Sequence, residues 1–170
     1  MNTPTSNVIE RLKHIAIFKN FGQNDSAIKK IASIIETKTY KKDSPIIEEG
    51  MPGNEMYILN KGMVRVEKKT LEKESYTVVK LSEEMNIFFG EQALIDEDVR
   101  SASVIAETDC ECFIMKKPDL DNLADKEPQI CVHIYKEIAK ILSSRLRKSG
   151  KDTITLFEAL VHEIMAEESF

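Results

Sequence analysis

Between Tyr40 and Lys116 the chain is cut into short apolar runs by turn residues, and this rhythm restricts its fold more than any other feature. Pro45 and Gly50-Met51-Pro52-Gly53 bracket Ile46-Ile47-Glu48-Glu49, and Met56-Tyr57-Ile58-Leu59 follows. Asn60-Lys61-Gly62 then turns the chain into Val64 and Val66, which alternate with Arg65 and Glu67. Beyond a charged turn at 71–74, Tyr76 to Leu81 reads as a strand, and Arg100–Thr108 and Glu111–Lys116 read as the last two. Alternation of period two gives each run one apolar face. Short strands with turns at this spacing predict an antiparallel barrel or roll. Gly50, Gly53 and Gly62 each fit a turn and are read as structural.

Helical periodicity flanks the strands. Val8, Ile9, Leu12, Ile15, Ile17 and Phe18 carry it over residues 7–20, and Ile28, Ile31, Ile34 and Ile35 repeat it after a break at Gly22, with Asp25 or Ser26 as the cap. Pro118 opens a short helix and Pro128 takes the first position of a long one, whose stripe is Ile134, Ile138, Ile141, Leu142 and Leu146. That helix either ends at Gly150, with Arg145, Arg147 and Lys148 near its C-terminus, or runs through the glycine at a cost of roughly 1 kcal/mol. Ile154, Phe157, Leu160, Val161 and Ile164 keep the spacing, and Thr155 with Glu158 fits a capping box if a new helix starts there.

One stretch carries chemistry. In Phe89-Gly90-Glu91-Gln92-Ala93-Leu94, Gly90 has no Cβ and lets the backbone approach a ligand closely. Gln92, Ala93 and Leu94 suit the first turn of a short helix, whose free N–H groups attract an anion. Glu91 offers two acceptor oxygens, the partner a sugar hydroxyl needs. Arg100 follows the acidic turn Asp96-Glu97-Asp98, begins an alternating strand shared by Ala102, Val104 and Ala106, and can grip a phosphate with its planar fork.

This pattern, F-G-E-x-A-L followed by R-[small]-A-[small]-V at Arg100-Ser101-Ala102-Ser103-Val104, resembles the phosphate-binding cassette of the cyclic nucleotide-binding domain family, of the catabolite activator and kinase regulatory subunit type. G-x-x-G-x-x-x-Y-I, G-x-V-R-V and the entry phrase L-K-x-I-x-I-F-K at 12–19 are similar to the family's β-roll and N-terminal helices. The resemblance implies an α+β fold, an antiparallel, jelly-roll-like β-roll at 40–116 between N-terminal helices at 7–36 and C-terminal helices at 118–168, the whole of 1–170 forming one domain. It implies that Glu91 accepts from the ribose 2′-hydroxyl and Arg100 pairs with the cyclic phosphate. The N–H groups of Gln92 and Ala93 complete the cradle, with Phe89 and Gly90 before them and Ala102 allowing close approach. Ser101 places a hydroxyl beside the phosphate or a guanine amino group, Val79 lines the ligand wall, and Ser149 faces the purine. The ligand is cAMP or cGMP, with cAMP preferred. The chain departs from the family at Ser82–Phe88, two residues longer, where Asn86 or Met85 stands in place of the usual Gly. Asn tolerates the left-handed conformation, so Asn86 is the residue to serve that turn.

Other chemistries lack their residues. No P-loop, G-x-G-x-x-G or nucleophile elbow is present, and His162-Glu163 has Ala166 where a zinc protease helix needs its second His. His14, His133 and His162 show no ligand spacing, and Glu91 has no second titratable group at useful spacing, so no metal, cofactor or catalysis is expected. A formal charge of -5 argues against a chain-wide nucleic-acid or membrane surface, and no stretch approaches the length of a transmembrane helix. The polar N-terminus has no charged n-region, and Cys110, Cys112 and Cys131 lack zinc or redox spacing, so a cytoplasmic protein with reduced thiols is expected. The apolar stripe at 154–164 must cover either its own roll as a lid or a second copy as a dimer seam; a parallel two-helix contact lined by Ser149 and Thr153 is favoured, signalling to an effector protein. Two alternatives remain: a catabolite-activator-type transcription regulator cut short of its DNA-binding part, and a degenerate scaffold that binds nothing.

Overall fold

The computed structural model describes residues 6–21, 25–96 and 98–167. Helix α1 spans Ser6–His14, a 3-10 segment covers Ala16–Phe21, and α2 spans Asp25–Ala32. Eight strands follow: β1 Ile35–Tyr40, β2 Pro45–Ile47, β3 Glu55–Lys61, β4 Met63–Lys69, β5 Ser75–Ser82, β6 Phe88–Phe89, β7 Ser103–Ala106 and β8 Cys110–Lys116. Helices α3, Lys117–Lys126, and α4, Pro128–Glu167, complete the chain. The strands form two antiparallel sheets, ordered β1-β8-β3-β6 and β2-β7-β4-β5. This is the antiparallel roll that the alternating runs predict, with helices at both ends as the resemblance implies.

Alternation explains the core. Tyr57 and Leu59 of β3 join Cys110, Cys112 and Ile114 of β8 and Phe89 of β6 on the inner face of the first sheet. Ile46, Ile47, Val64, Val104 and Ala106 meet them from the second sheet. Met56, Ile58, Phe113 and Met115, at the intervening positions, are also buried, so the first sheet is covered on both faces. Each such side chain contributes roughly 1.5–3 kcal/mol by leaving water. Burial pushes the Cys112 thiol up to about 12, which keeps it protonated.

Several boundaries differ from the sequence reading. Ile34 and Ile35 are not helical: Ile35 opens β1, whose partner β8 lies some eighty residues on, and this distant pairing overrides the local apolar spacing. The roll therefore begins before residue 40. Arg100–Ala102 precede β7 instead of opening it. The short helix expected at Gln92–Leu94 is a single 3-10 turn, Glu91–Leu94. Of the two alternatives at Gly150 the structure takes the second: helix α4 runs unbroken through Gly150 and Thr155, so neither a stop nor a new cap forms there. The break at Gly22 lies outside the described residues. By contact density the chain divides into two compact units, Met1–Ile134 and Tyr135–Phe170. The described residues of the second are helix alone.

Candidate functional site

The site is built from the turn between β2 and β3, from β6 with its 3-10 turn, and from the loop that enters β7. Arg100 is its centre, only 9% exposed. Two backbone bonds hook it onto the preceding turn: Gly50 N–H donates to the Arg100 carbonyl, and Arg100 N–H to the Met51 carbonyl, each at 2.9 Å. Its guanidinium donates to the Gly90 carbonyl at 3.2 Å and meets the Glu55 carboxylate at 3.2 Å. An open cleft of about 320 Å³ exposes this group, lined also by Ile47, Glu48, Met51, Pro52 and Tyr57. Chemically it is a recessed cation reached through a mouth that carries two carboxylates.

Two glycines make room for the guanidinium. Gly90 has φ +74°, and a Cβ there would lie 3.0 Å from Arg100 Nη1 and from Ile47 Cδ1. The backbone conformation and the crowding both call for glycine. Gly53 is a different case. Its φ is not positive, so no turn demands glycine, yet a Cβ would stand 2.5 Å from Arg100 Nε. The turn reading of Gly53 is thus incomplete: a side chain there would push the Arg100 guanidinium from its place.

The neighbouring residues order this centre. Phe89 stacks on Tyr57 with ring centroids 5.5 Å apart and an interplanar angle of 8°. Burial pushes the Tyr57 hydroxyl's pKa up, with the Glu55 charge acting in the same direction and Arg100 against it. Glu91 is buried at 2% exposure in the turn that follows Gly90. Ser101 Oγ donates to Gln92 Oε1 at 3.2 Å, and Ala93 N–H donates to the Gly90 carbonyl at 3.3 Å. Of the two N–H groups expected to form a cradle, that of Ala93 is therefore engaged within the turn. Ala102 is half-buried.

Within the first unit the expected residues are not all brought together. Phe89 to Ala93 and Arg100 to Ala102 converge. Val79 does not line the cleft: it lies on β5, paired with Val66 and 41% exposed. Ser149 lies on α4 within the second unit, where its carbonyl accepts from the Thr153 hydroxyl at 2.9 Å. Sequence reasoning missed Glu55 and the space-making part of Gly53. A carboxylate at the start of a strand gives no local sign that its partner stands 45 residues later.

The loop before the cassette is held from outside it. Asn86 adopts the left-handed conformation, φ 51°, as expected for the residue replacing glycine. Arg11 of α1 donates to Asn86 Oδ1 at 2.8 Å, to the Leu59 carbonyl at 2.6 Å and to the Glu83 carbonyl at 2.5 Å. The Glu83 carboxylate in turn accepts from Gly62 N–H. The loop holds a 3-10 turn, Glu83–Met85, clamped by an arginine. Among the described residues, no cluster of His, Cys, Asp or Glu could hold a metal ion, and no helix is long and apolar enough to cross a membrane.

Comparison with known proteins agrees with this architecture. Residues 37–127 match the model of the cyclic nucleotide-binding domain. The chain is 30% identical over 142 residues to cGMP-dependent protein kinase 2 of Homo sapiens, covering 83% of this chain and 17% of that protein. It is 44% identical over 80 residues to the cAMP-dependent protein kinase regulatory subunit of Aspergillus fumigatus, covering 47% of this chain and 18% of that protein. The chain thus spans about a sixth of the length of these relatives. A solved cyclic nucleotide-binding domain from Methylobacillus flagellatus superposes with a TM-score of 0.72 at 23% identity, covering 84% of this chain and 78% of that one.

Proposed function

The chain belongs to the cyclic nucleotide-binding domain family, and we propose that it is a cytoplasmic cyclic-nucleotide sensor, a single binding domain over 1–170 without catalysis. One observation carries this reading. Arg100 is a nearly buried cation facing a cleft, held by a carbonyl and a carboxylate at 3.2 Å, in space that Gly53 and Gly90 leave for it. A cyclic phosphate would take the place of Glu55 as its counter-charge. Glu91, next to Gly90, would accept from the ribose 2′-hydroxyl. Phe89 and Gly90 set the turn; the Gln92 N–H, the Ala93 N–H on exchanging the Gly90 carbonyl, and Ala102 complete the phosphate cradle; and the Ser101 hydroxyl turns from Gln92 to the phosphate. Val79 and Ser149, neither of which lines the cleft around Arg100, are assigned to the base beyond it, Val79 as wall and Ser149 against the purine.

The signal leaves through movement of the C-terminal helix to an effector protein, with a second copy paired along the exposed part of α4. The human relative is named for cGMP and the Aspergillus one for cAMP. Both ligands share the ribose and the cyclic phosphate, so selection falls to Ser101 and the base contacts, and a serine there is assigned to cAMP. Calorimetry with each nucleotide tests the reading. Binding of either one supports the sensor, with cAMP the tighter in direct competition. No heat and no shift in melting temperature with both would remove it.

A further inference from the structure

Helix α4 carries a seam that the fold of one chain leaves open. Leu146, Gly150, Thr153, Phe157, Leu160 and Ile164 follow one another at alternating steps of four and three, the spacing that keeps a stripe on one side of a helix paired with another. The helix is continuous through all of them. Leu146 is 75% exposed and Phe157 66%, and a Cβ built at Gly150 meets nothing within 4 Å. So long an apolar stripe calls for a partner.

The charges beside the seam indicate which partner, and in which direction. Residues 138–151 hold five cations, Lys140, Arg145, Arg147, Lys148 and Lys151, and no acid. Residues 152–164 hold three acids, Asp152, Glu158 and Glu163, and no Lys or Arg. A parallel pair would lay the basic half along the basic half and the acidic along the acidic. An antiparallel pair lays each half on its opposite.

Resting on the proposed pairing through this helix, we infer that the second copy lies antiparallel, about a twofold axis at the level of Thr155. Leu146 then faces the partner's Ile164, Gly150 the partner's Leu160, and Thr153 the partner's Phe157. Side-chain size points the same way. In an in-register parallel pair, Gly150 meets its own copy and leaves a gap, while two Phe157 rings compete for one layer. In the antiparallel pair small faces large in both central layers, which fills them. The parallel contact expected from the sequence gives way on both counts.

Disulfide trapping in the full chain tests the direction, with light scattering to give the mass. Leu146→Cys and Ile164→Cys are oxidised separately and as a mixture; the three native cysteines are buried, and the unmodified protein gives the background. The antiparallel pair links Leu146→Cys to Ile164→Cys at least tenfold more than either to itself. Ile154→Cys, beside the seam near the twofold axis, links to its own copy in the antiparallel pair alone, because a parallel pair puts the two copies on opposite sides. Self-linking of Leu146→Cys and Ile164→Cys at dimer mass overturns the direction and leaves the pairing standing. Monomer mass without links overturns the pairing and the inference with it. Dimer mass with no link at any of the three positions overturns this seam.

Discussion

Two arginines flank the segment that enters the cassette, and they are satisfied in opposite ways. Arg11 reaches residues 83–86 and makes three bonds of 2.5–2.8 Å, two of them to backbone carbonyls. Arg100 faces Gly90 and makes two contacts, both at 3.2 Å, one of them to a carboxylate that lines an open cleft. Carbonyls are fixed by the fold, and a cation that has collected two of them is a structural clamp. A cation held by longer bonds beside a cleft can exchange a partner for a ligand at little cost. Burial lowers the pKa of Arg11, with the Glu83 charge opposing. The difference teaches that burial alone does not identify a binding arginine; the partners and the way in do.

The comparison breaks most visibly at Arg100. Truncating one side of a desolvated charge pair costs on the order of 2–5 kcal/mol, and about 1.4 kcal/mol is tenfold in affinity. Arg100→Ala should therefore weaken nucleotide binding at least about thirtyfold in a protein that still folds. Calorimetry measures the affinity and circular dichroism the fold. Unchanged affinity in a folded variant would remove Arg100 from the site.

Arg11 should show the reverse. Arg11→Ala leaves the Leu59 and Glu83 carbonyls and the Asn86 amide to find other partners, and hydrogen bonds to a charged group are worth about 1.5–3 kcal/mol each without adding fully. The expected loss is about 2–3 kcal/mol of stability, seen as a fall of about 4–12 °C in Tm for a chain of this size. Affinity of the folded protein for nucleotide should change less than about threefold, which is under about 0.7 kcal/mol. A stable variant with weak binding would mean that Arg11 acts on the ligand, and the contrast would fail.

How much of this was legible depended on how local each signal was. The strands from Ile46 to Leu81 stood out because turn residues and period-two alternation lie within a few positions of one another. The left-handed turn at Asn86 was readable for the same reason, since a conformation is a property of the residue itself. Ile35 was misread because its helical neighbours are close by while β8, which claims it, is far along the chain. The gathering of Phe89 to Ala93 with Arg100 to Ala102 was legible from a motif. The Arg11 clamp and the Glu55 contact join residues 48 to 75 and 45 positions apart, and no spacing announces them. Gly53 was visible as a glycine, but its reason lies in a guanidinium brought from elsewhere.

The smallest expected effect concerns Glu55, and it sharpens what makes Arg100 the exchangeable one. The Glu55 carboxylate is 30% exposed and the Arg100 side chain 8%. Glu55 thus faces solvent on the cleft side while occupying part of the guanidinium fork. Any anion entering the cleft must displace it and then sit beside it. Glu55→Gln keeps the shape and a weak hydrogen bond but removes both the competition and the repulsion. A partly exposed ion pair is worth about 0.2–1 kcal/mol, so affinity for the nucleotide should rise about 1.4- to 5-fold. The gain should shrink as salt is added, because the removed repulsion is screened. A fall in affinity would show that Glu55 orients Arg100 for the ligand instead of competing with it. In that case Arg100 is as firmly placed by its partners as Arg11 is, and only the cleft distinguishes the two.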